Sequence, residues 1–279
     1  MFWKFRHHSI DLSRHARVMG ILNTTPDSFS DGGHHQRIGD ALEHARLMIS
    51  EGVDIIDIGG GSTRPGADAV TAEDEINRTA PVIAAIRAEW DGLISIDTSK
   101  ADVARAALEA GADIVNDVAG LAGDPEMTGV CAETGCGVVV MHMKGEPRTM
   151  QVSPTYTDVV AEVREFFEER FATLTAAGIA AEAISFDPGI GFGKTVEHNL
   201  QLLRSLDQLV VAGRPILLGV SRKSFIGRIL GDNDLSLREW PTVAITTHGR
   251  ELGAVIHRVH AVKPNVDALR MVEAIRTAG

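Results

Sequence analysis

The chain is poor in cysteine, in aromatic residues and in basic charge. Its 279 residues include two cysteines, Cys131 and Cys136, and aromatics make up 5% of it. Thiols at that spacing match no zinc or redox motif and supply no disulfide framework, so they are expected to be buried and inert. Acids outnumber Lys and Arg by 38 to 27, a formal net charge of −11, and no basic stripe offsets the deficit. That balance argues against nucleic acid as a partner. No apolar run approaches the roughly 18 residues of a membrane span. The opening MFWKFRHHSI lacks the apolar stretch of a signal peptide. The expectation is a soluble, cytoplasmic protein with no membrane partner. No low-complexity linker divides the chain, and 44% apolar content at this length suits a single large α/β domain.

A complete phosphate loop is also missing. FDPGIGFGKT (186–195) ends in Gly193, Lys194 and Thr195, but Pro188 stands where the loop's first glycine belongs. The dinucleotide fingerprint nearly fits from Gly189 and Gly191, then fails at Lys194. Lys194 accordingly reads as a solvated or helix-start charge.

What is present is alternation. Short Val- and Ile-rich runs recur at 17–23, 53–60, 93–98, 113–118, 137–143, 184–189, 216–222 and 254–262. They are too short for helices and read as buried strands. Helical patterns such as KADVARAALEAG and EHNLQLLRSLDQLVVAG separate them, several ending in Gly. Eight strand–helix units in strict alternation predict a (β/α)8 TIM barrel over 17–279. Residues 1–16 precede the first strand and are expected to cap the barrel's bottom.

Almost every run ends in a polar residue: Asn23, Asp57, Asp97, Asn116, His142, Asp187, Ser221, and Arg258 with His260. In such a barrel these ends meet at one mouth, where active sites lie. Any one Asp or Asn there is equally well a helix cap or turn former, and Asp97 and Asp57 are candidates for that work. Acids, amides and bases on at least six ends favour a site. The loops NTTPDSFSDGG (23–33) and GGGSTRPGA (59–67) suit closure over a ligand. Arg64, Lys223, Arg258 and His260 bring positive groups to the same mouth, predicting a small-anion site. His34–His35 lacks a third metal ligand and reads as exposed. His142 reads as a packed or orienting histidine, and neither Ser221 nor Ser224 has a base at motif spacing.

Seven segments in order, MGILNTTPDSFSDGG, DIGGGSTRPGA, SIDTSKADVARAALEAGADIVNDVAG, VVVMHMKGEPRTMQ, FDPGIGFGK, GVSRKSFIG and RVHAV, resemble the dihydropteroate synthases. The likeness runs from about residue 17 to 272. It implies the same barrel, a homodimer, Mg²⁺, and the joining of 6-hydroxymethyl-7,8-dihydropterin diphosphate to 4-aminobenzoate, giving 7,8-dihydropteroate and diphosphate.

The resemblance also implies site roles. Asp187 would accept the pterin's paired N–H donors, helped by Asp97 and Asn116, with Lys223 donating to the ring and Met141 packed on its face. Asn23, Arg258 and His260 would hold the diphosphate, with Asn23 a ligand to Mg²⁺. Phe29, Thr63, Arg64, Pro65, Phe192 and Ser224 would receive aminobenzoate. Asp31, Asp97, Lys223, Arg258 and His260 would carry the chemistry, with Asp31 and Phe29 closing over the site. Two positions depart from the family's pattern: Gly61 stands where GGES carries an acid, and Ala261 where RVHDV carries one. Gly61 would loosen the second loop; Ala261, of opposite strand parity to Arg258 and His260, would affect packing. Two other readings remain at this stage: a pterin-dependent methyl transferase, which has no need of SRKSFIG and RVH, and a catalytically silent pterin-binding barrel.

Overall fold

The computed structural model describes residues 1–25, 34–61, 70–145, 150 and 153–278, with 34–37 described by backbone alone. The apolar runs form strands β3 (Arg17–Asn23), β4 (Ile55–Gly59), β5 (Leu93–Asp97), β6 (Ile114–Asp117), β7 (Gly137–Met141), β8 (Ile184–Asp187), β9 (Ile216–Leu218) and β10 (Ala254–Val259). They pair in parallel and close into a barrel in the order β10-β3-β4-β5-β6-β7-β8-β9. Strands such as β4 and β7 are buried along their whole length, as parallel strands covered by helices must be.

The covering helices are α1 (His34–Ser50), α2 (Ala72–Arg87), α3 (Ala101–Glu109), α4 (Met127–Thr134), α5 (Val159–Ala176), α6 (Val196–Arg204), α7 (Ser224–Leu230), α8 (Glu239–Glu251) and α9 (Val262–Thr277). In α3 the buried Ala101, Ala104, Ala107 and Leu108 recur at three- and four-residue steps, one stripe of a helix. On α5, Val159, Val163 and Phe167 do the same, and the Phe167 ring stacks on Phe186 of β8 with centroids 4.5 Å apart. Each large apolar side chain so buried contributes about 1.5–3 kcal/mol. Among the described residues no helix is long and apolar enough to cross a membrane.

The alternation is not strict. The β9–β10 crossover holds two helices, because α7 runs for only seven residues before Gly231 ends it in the left-handed region at φ 71°. Such a short helix cannot cover the barrel wall, and α8 completes the cover with Thr242, Thr246 and Gly249 buried. Residues 1–16 also hold regular structure. β1 (Phe2–Phe5) and β2 (His8–Asp11) make an antiparallel hairpin against the strands' N-terminal ends. Trp3 is fully buried and donates its Nε1–H to the Ala183 carbonyl at 2.7 Å, just ahead of β8. Arg6 reaches the Ala112 carbonyl ahead of β6 at 2.9 Å. The hairpin therefore lies at the bottom, opposite the polar strand ends.

Strand register stacks the site in two layers. Asn23, Gly59, Asp97 and Asn116 pair across β3 to β6 and form the upper one. Ile21, Asp57, Ser95 and Ile114 pair two residues deeper.

Candidate active site

Asp97 and Asn116 lie side by side at the mouth, and Arg258 reaches Asp97 from β10. Its guanidinium donates from Nε to Asp57 Oδ2 at 2.6 Å and from Nη2 to Asp97 Oδ2 at 2.6 Å. Asp57 is wholly enclosed, one layer down. It also accepts from Asn116 Nδ2 at 3.3 Å. A carboxylate there only accepts, so the amide nitrogen must face it and Asn116 Oδ1 is left as an acceptor. Neither Asp caps a helix: α3 begins at an N-cap Lys100 with no side-chain cap bond. The capping alternative thus fails at both positions, while Asp117 does turn work, accepting from the Ala119 and Leu121 amides at 2.8 Å each.

Burial pushes the Asp97 carboxyl well above the usual range; Arg258 opposes, and the neighbouring Asp57, Asp117 and Glu75 carboxylates add to the rise. For Arg258 burial works against the charge, but Asp57 and Asp97 outweigh it and hold the pKa above its ordinary value. The guanidinium is therefore a permanent cation.

Opposite this group, Asp187 ends β8 nearly buried, one oxygen accepting from the Gly189 amide at 2.7 Å. A Cβ at Gly219 would sit 3.5 Å from its other oxygen. Burial raises the Asp187 pKa, and Lys223, the Gly189 N–H, Arg258 and Lys194 pull it back. Met141, the register partner of Asp187, is also nearly buried. The Lys223 ammonium donates to the Ile190 carbonyl and lies 4.5 Å from the Phe192 ring centroid. Burial pulls its pKa down to about 8, against the attraction of Asp187. Acids, an amide and a partly enclosed ammonium thus offer the acceptors and the donor that a flat, hydrogen-bonding heterocycle needs.

At the rim, Ser221 Oγ contacts His260 Nδ1 at 2.9 Å and accepts from the His260 amide at 3.1 Å. That double contact orients the imidazole toward the mouth. Ser224 is the exposed first residue of α7. Among the described residues no group of three His, Cys, Asp or Glu is set to hold a metal ion. Asn23 supplies one oxygen: its Oδ1 and Asp97 Oδ2 both lie within 4 Å of where a side chain at Gly59 would begin. One neutral oxygen beside a carboxylate fits Mg²⁺, which takes most of its ligands from phosphates and water.

The structure therefore brings together Asn23, Asp97, Asn116, Met141, Asp187, Phe192, Lys223, Arg258 and His260. Phe29, Asp31, Thr63, Arg64 and Pro65 lie outside the described residues, as do the side chains of His34 and His35. One expectation is corrected. Lys194 is not solvated: it is 2% exposed, with its ammonium 3.0 Å from His142 Nδ1. The packed role expected of His142 fits this contact. Asp57 and Ser221 were visible as strand ends, but their task of holding Arg258, Asn116 and His260 was not. Both cysteines are free and buried.

The two departures sit beside built features. Gly61 lies 3.6 Å, measured from a Cβ placed on it, from Glu75 Oε2, a buried carboxylate paired with Lys100. Ala261 is the N-cap of α9 and offers no side-chain acceptor. Pro264 removes one orphan donor there, and Glu51 Oε2 accepts the Lys263 amide at 3.3 Å.

Known proteins share this fold. A family model described as pterin binding enzyme matches residues 19–260. The dihydropteroate synthase of Escherichia coli is 48% identical over 270 residues, 97% of this chain and 95% of that protein. The Yersinia pestis dihydropteroate synthase in a sulfonamide drug complex superposes with a TM-score of 0.93 at 45% identity, with all of both chains covered. The Xanthomonas albilineans enzyme in complex with 7,8-dihydropteroate gives a TM-score of 0.85 at 37% identity, covering 97% of this chain and 96% of the other. This chain belongs to the pterin-binding enzymes and, within them, to the dihydropteroate synthase family.

Proposed function

We propose that the mouth residues divide the dihydropteroate synthase reaction into a pterin grip and a leaving-group clamp. The activity joins 6-hydroxymethyl-7,8-dihydropterin diphosphate to 4-aminobenzoate, giving 7,8-dihydropteroate and diphosphate. The observation that carries the division is the pairing of the charges: Arg258 is tied by hydrogen bonds to Asp57 and Asp97, while the open Asp187 carboxylate has Lys223 as its main cationic neighbour.

The grip comes first. Asp187 has one oxygen occupied by Gly189 and accepts adjacent ring N–H donors on its open side, a charge-assisted pairing. Asn116 offers Oδ1 because its nitrogen is spent on Asp57. Lys223 donates to the ring carbonyl, and Met141 packs on its face. The clamp holds the diphosphate by Arg258, His260 and Asn23. Asn23 would hold Mg²⁺, which would add positive charge on the leaving-group side.

The C–O bond between the pterin methylene and the diphosphate breaks, and its electron pair leaves with the diphosphate. Asp97 faces the delocalised pterin cation that remains. The neutral aniline nitrogen of 4-aminobenzoate then gives its lone pair to the methylene and sheds a proton to solvent, so no side chain need act as its base. Phe192 and Ser224 receive aminobenzoate in this reading, and the family resemblance assigns Phe29, Asp31, Thr63, Arg64 and Pro65 to the same substrate. The Xanthomonas albilineans relative in complex with 7,8-dihydropteroate supports the identity of the product.

The chain works in this reading as a cytoplasmic homodimer. Its free, buried thiols suit a reducing compartment. Ile229, Leu230, Leu235, Leu237 and Trp240 are all close to half exposed or more on the adjoining α7, its following turn and α8, an apolar face of the kind that pairs.

Two substitutions separate grip from clamp. Asp187→Ala is expected to abolish measurable pterin binding by calorimetry. Arg258→Ala is expected to retain pterin binding and slow diphosphate release. Unchanged pterin affinity in Asp187→Ala sinks the grip assignment.

A further inference from the structure

Lys194 sits where phosphate loops carry their lysine, yet its ammonium turns inward. Nζ donates to His142 Nδ1 at 3.0 Å, to the His142 carbonyl at 3.3 Å and to the Phe192 carbonyl at 3.0 Å. Three acceptors use all three N–H groups, so nothing remains for a phosphate. All three acceptors are neutral, and an ammonium enclosed among neutral groups is costly. Burial accordingly pulls the Lys194 pKa down to about 7, with Asp187 opposing. Burial drives His142 down to about 3, Lys194 adding to the effect. With Lys194 as ammonium, which has no acceptor, Nδ1 of the neutral imidazole must accept, and that places the ring proton on Nε2.

The three contacts join two elements of the mouth. His142 follows Met141 at the end of β7, and Phe192 lies in the turn that follows Asp187 on β8. That turn rests directly on the end of β7. A Cβ at Gly189 (φ 64°) would lie 1.9 Å from the His142 carbonyl oxygen, and one at Gly193 (φ 62°) 2.2 Å from that of Lys144. From outside, Tyr156 Oη donates to the Gly193 carbonyl at 2.9 Å and Asn199 Oδ1 accepts the Gly191 amide at 2.8 Å. Lys194 is the tie from within.

We infer that Lys194 is a positioning residue of the pterin pocket: its buried ammonium, bonded to His142 and Phe192, holds the turn that carries Phe192, and the Ile190 carbonyl on which Lys223 rests, against the end of β7 beside Met141. This rests on the pterin-binding reading above. Lys194→Met keeps length and loses the ammonium; His142→Phe keeps the ring contacts with Phe166 and Tyr156 and loses the Nδ1 acceptor.

The test titrates 6-hydroxymethylpterin, which lacks the leaving group, into wild type and both variants by calorimetry. Steady-state kinetics and ¹⁵N imidazole spectra accompany it, with His142→Phe identifying the His142 signals. Lys194→Met should weaken pterin binding and raise KM for the pterin diphosphate roughly tenfold, with kcat within about threefold. In the same variant His142 should change from one Nε2–H tautomer to a mixture, and His142→Phe should show a smaller loss of affinity. Pterin affinity within twofold of wild type in a folded Lys194→Met overturns the inference. If that variant does not fold, unchanged affinity in His142→Phe overturns it instead. Absence of pterin binding by the wild type would sink the pterin-binding reading itself and this inference with it.

Discussion

Asp57 touches no ligand in this account, yet both the grip and the clamp lean on it. Asp57→Asn keeps its shape and one acceptor oxygen but withdraws the charge that holds Arg258 Nε, and its amide N–H₂ meets Asn116 and Arg258 where the second carboxylate oxygen stood. We expect kcat/KM for the pterin diphosphate to fall about 10- to 100-fold, or about 1.4–2.7 kcal/mol, in steady-state assays. Lys223 makes a second prediction. It must be protonated to donate to the ring, and its pKa is lowered to about 8. Below that value the ammonium is present; above it the donor charge is lost. kcat/KM should therefore fall as pH rises through about 8, a limb that Lys223→Met should remove from its residual activity. Both residues mark the limit of the sequence. Asp57 was legible as a strand end, but its partner Arg258 is 201 residues away, and no local pattern says which acid meets which base across a barrel. Lys194 was misread because a lysine beside a helix start is ordinarily solvated, and only packing of the glycine turn on His142 reveals otherwise.

At the scale of elements, strand identity was legible because parallel strands buried on both faces leave unbroken Val and Ile runs. The hairpin of β1 and β2 was not, since four-residue strands with alternating exposure carry too little apolar signal. The α7–α8 pair was hidden for a related reason: the stop at Gly231 depends on a left-handed backbone rather than on a break in pattern. The start of α9 offers a test of element energetics. Ala261 supplies no cap, but Glu51 already meets the Lys263 amide and Pro264 has no N–H to satisfy. Ala261→Asp should therefore stabilise the protein by only about 0.5 kcal/mol, the low end for an N-cap, raising the melting temperature by about 1–2 °C in a thermal melt. A gain several times larger would mean that Glu51 does not cap the helix in solution.

For the whole molecule, the barrel positions eight strand ends at one mouth while the hairpin occupies the opposite end, so binding and stability are largely carried by different ends. In the proposed homodimer the outer face of α7 and α8 carries the assembly contact. With Trp240 76% exposed and Leu235 56% exposed, Leu235→Asp with Trp240→Glu should convert a dimer to a monomer in analytical ultracentrifugation. A dimer that survives both changes would place the interface elsewhere. The central claim is that this mouth makes dihydropteroate by releasing diphosphate. Its most direct test incubates the full chain with 6-hydroxymethyl-7,8-dihydropterin diphosphate, 4-aminobenzoate and Mg²⁺, and measures both products. The account predicts 7,8-dihydropteroate and diphosphate in equal amounts; bound pterin with neither product formed would contradict it.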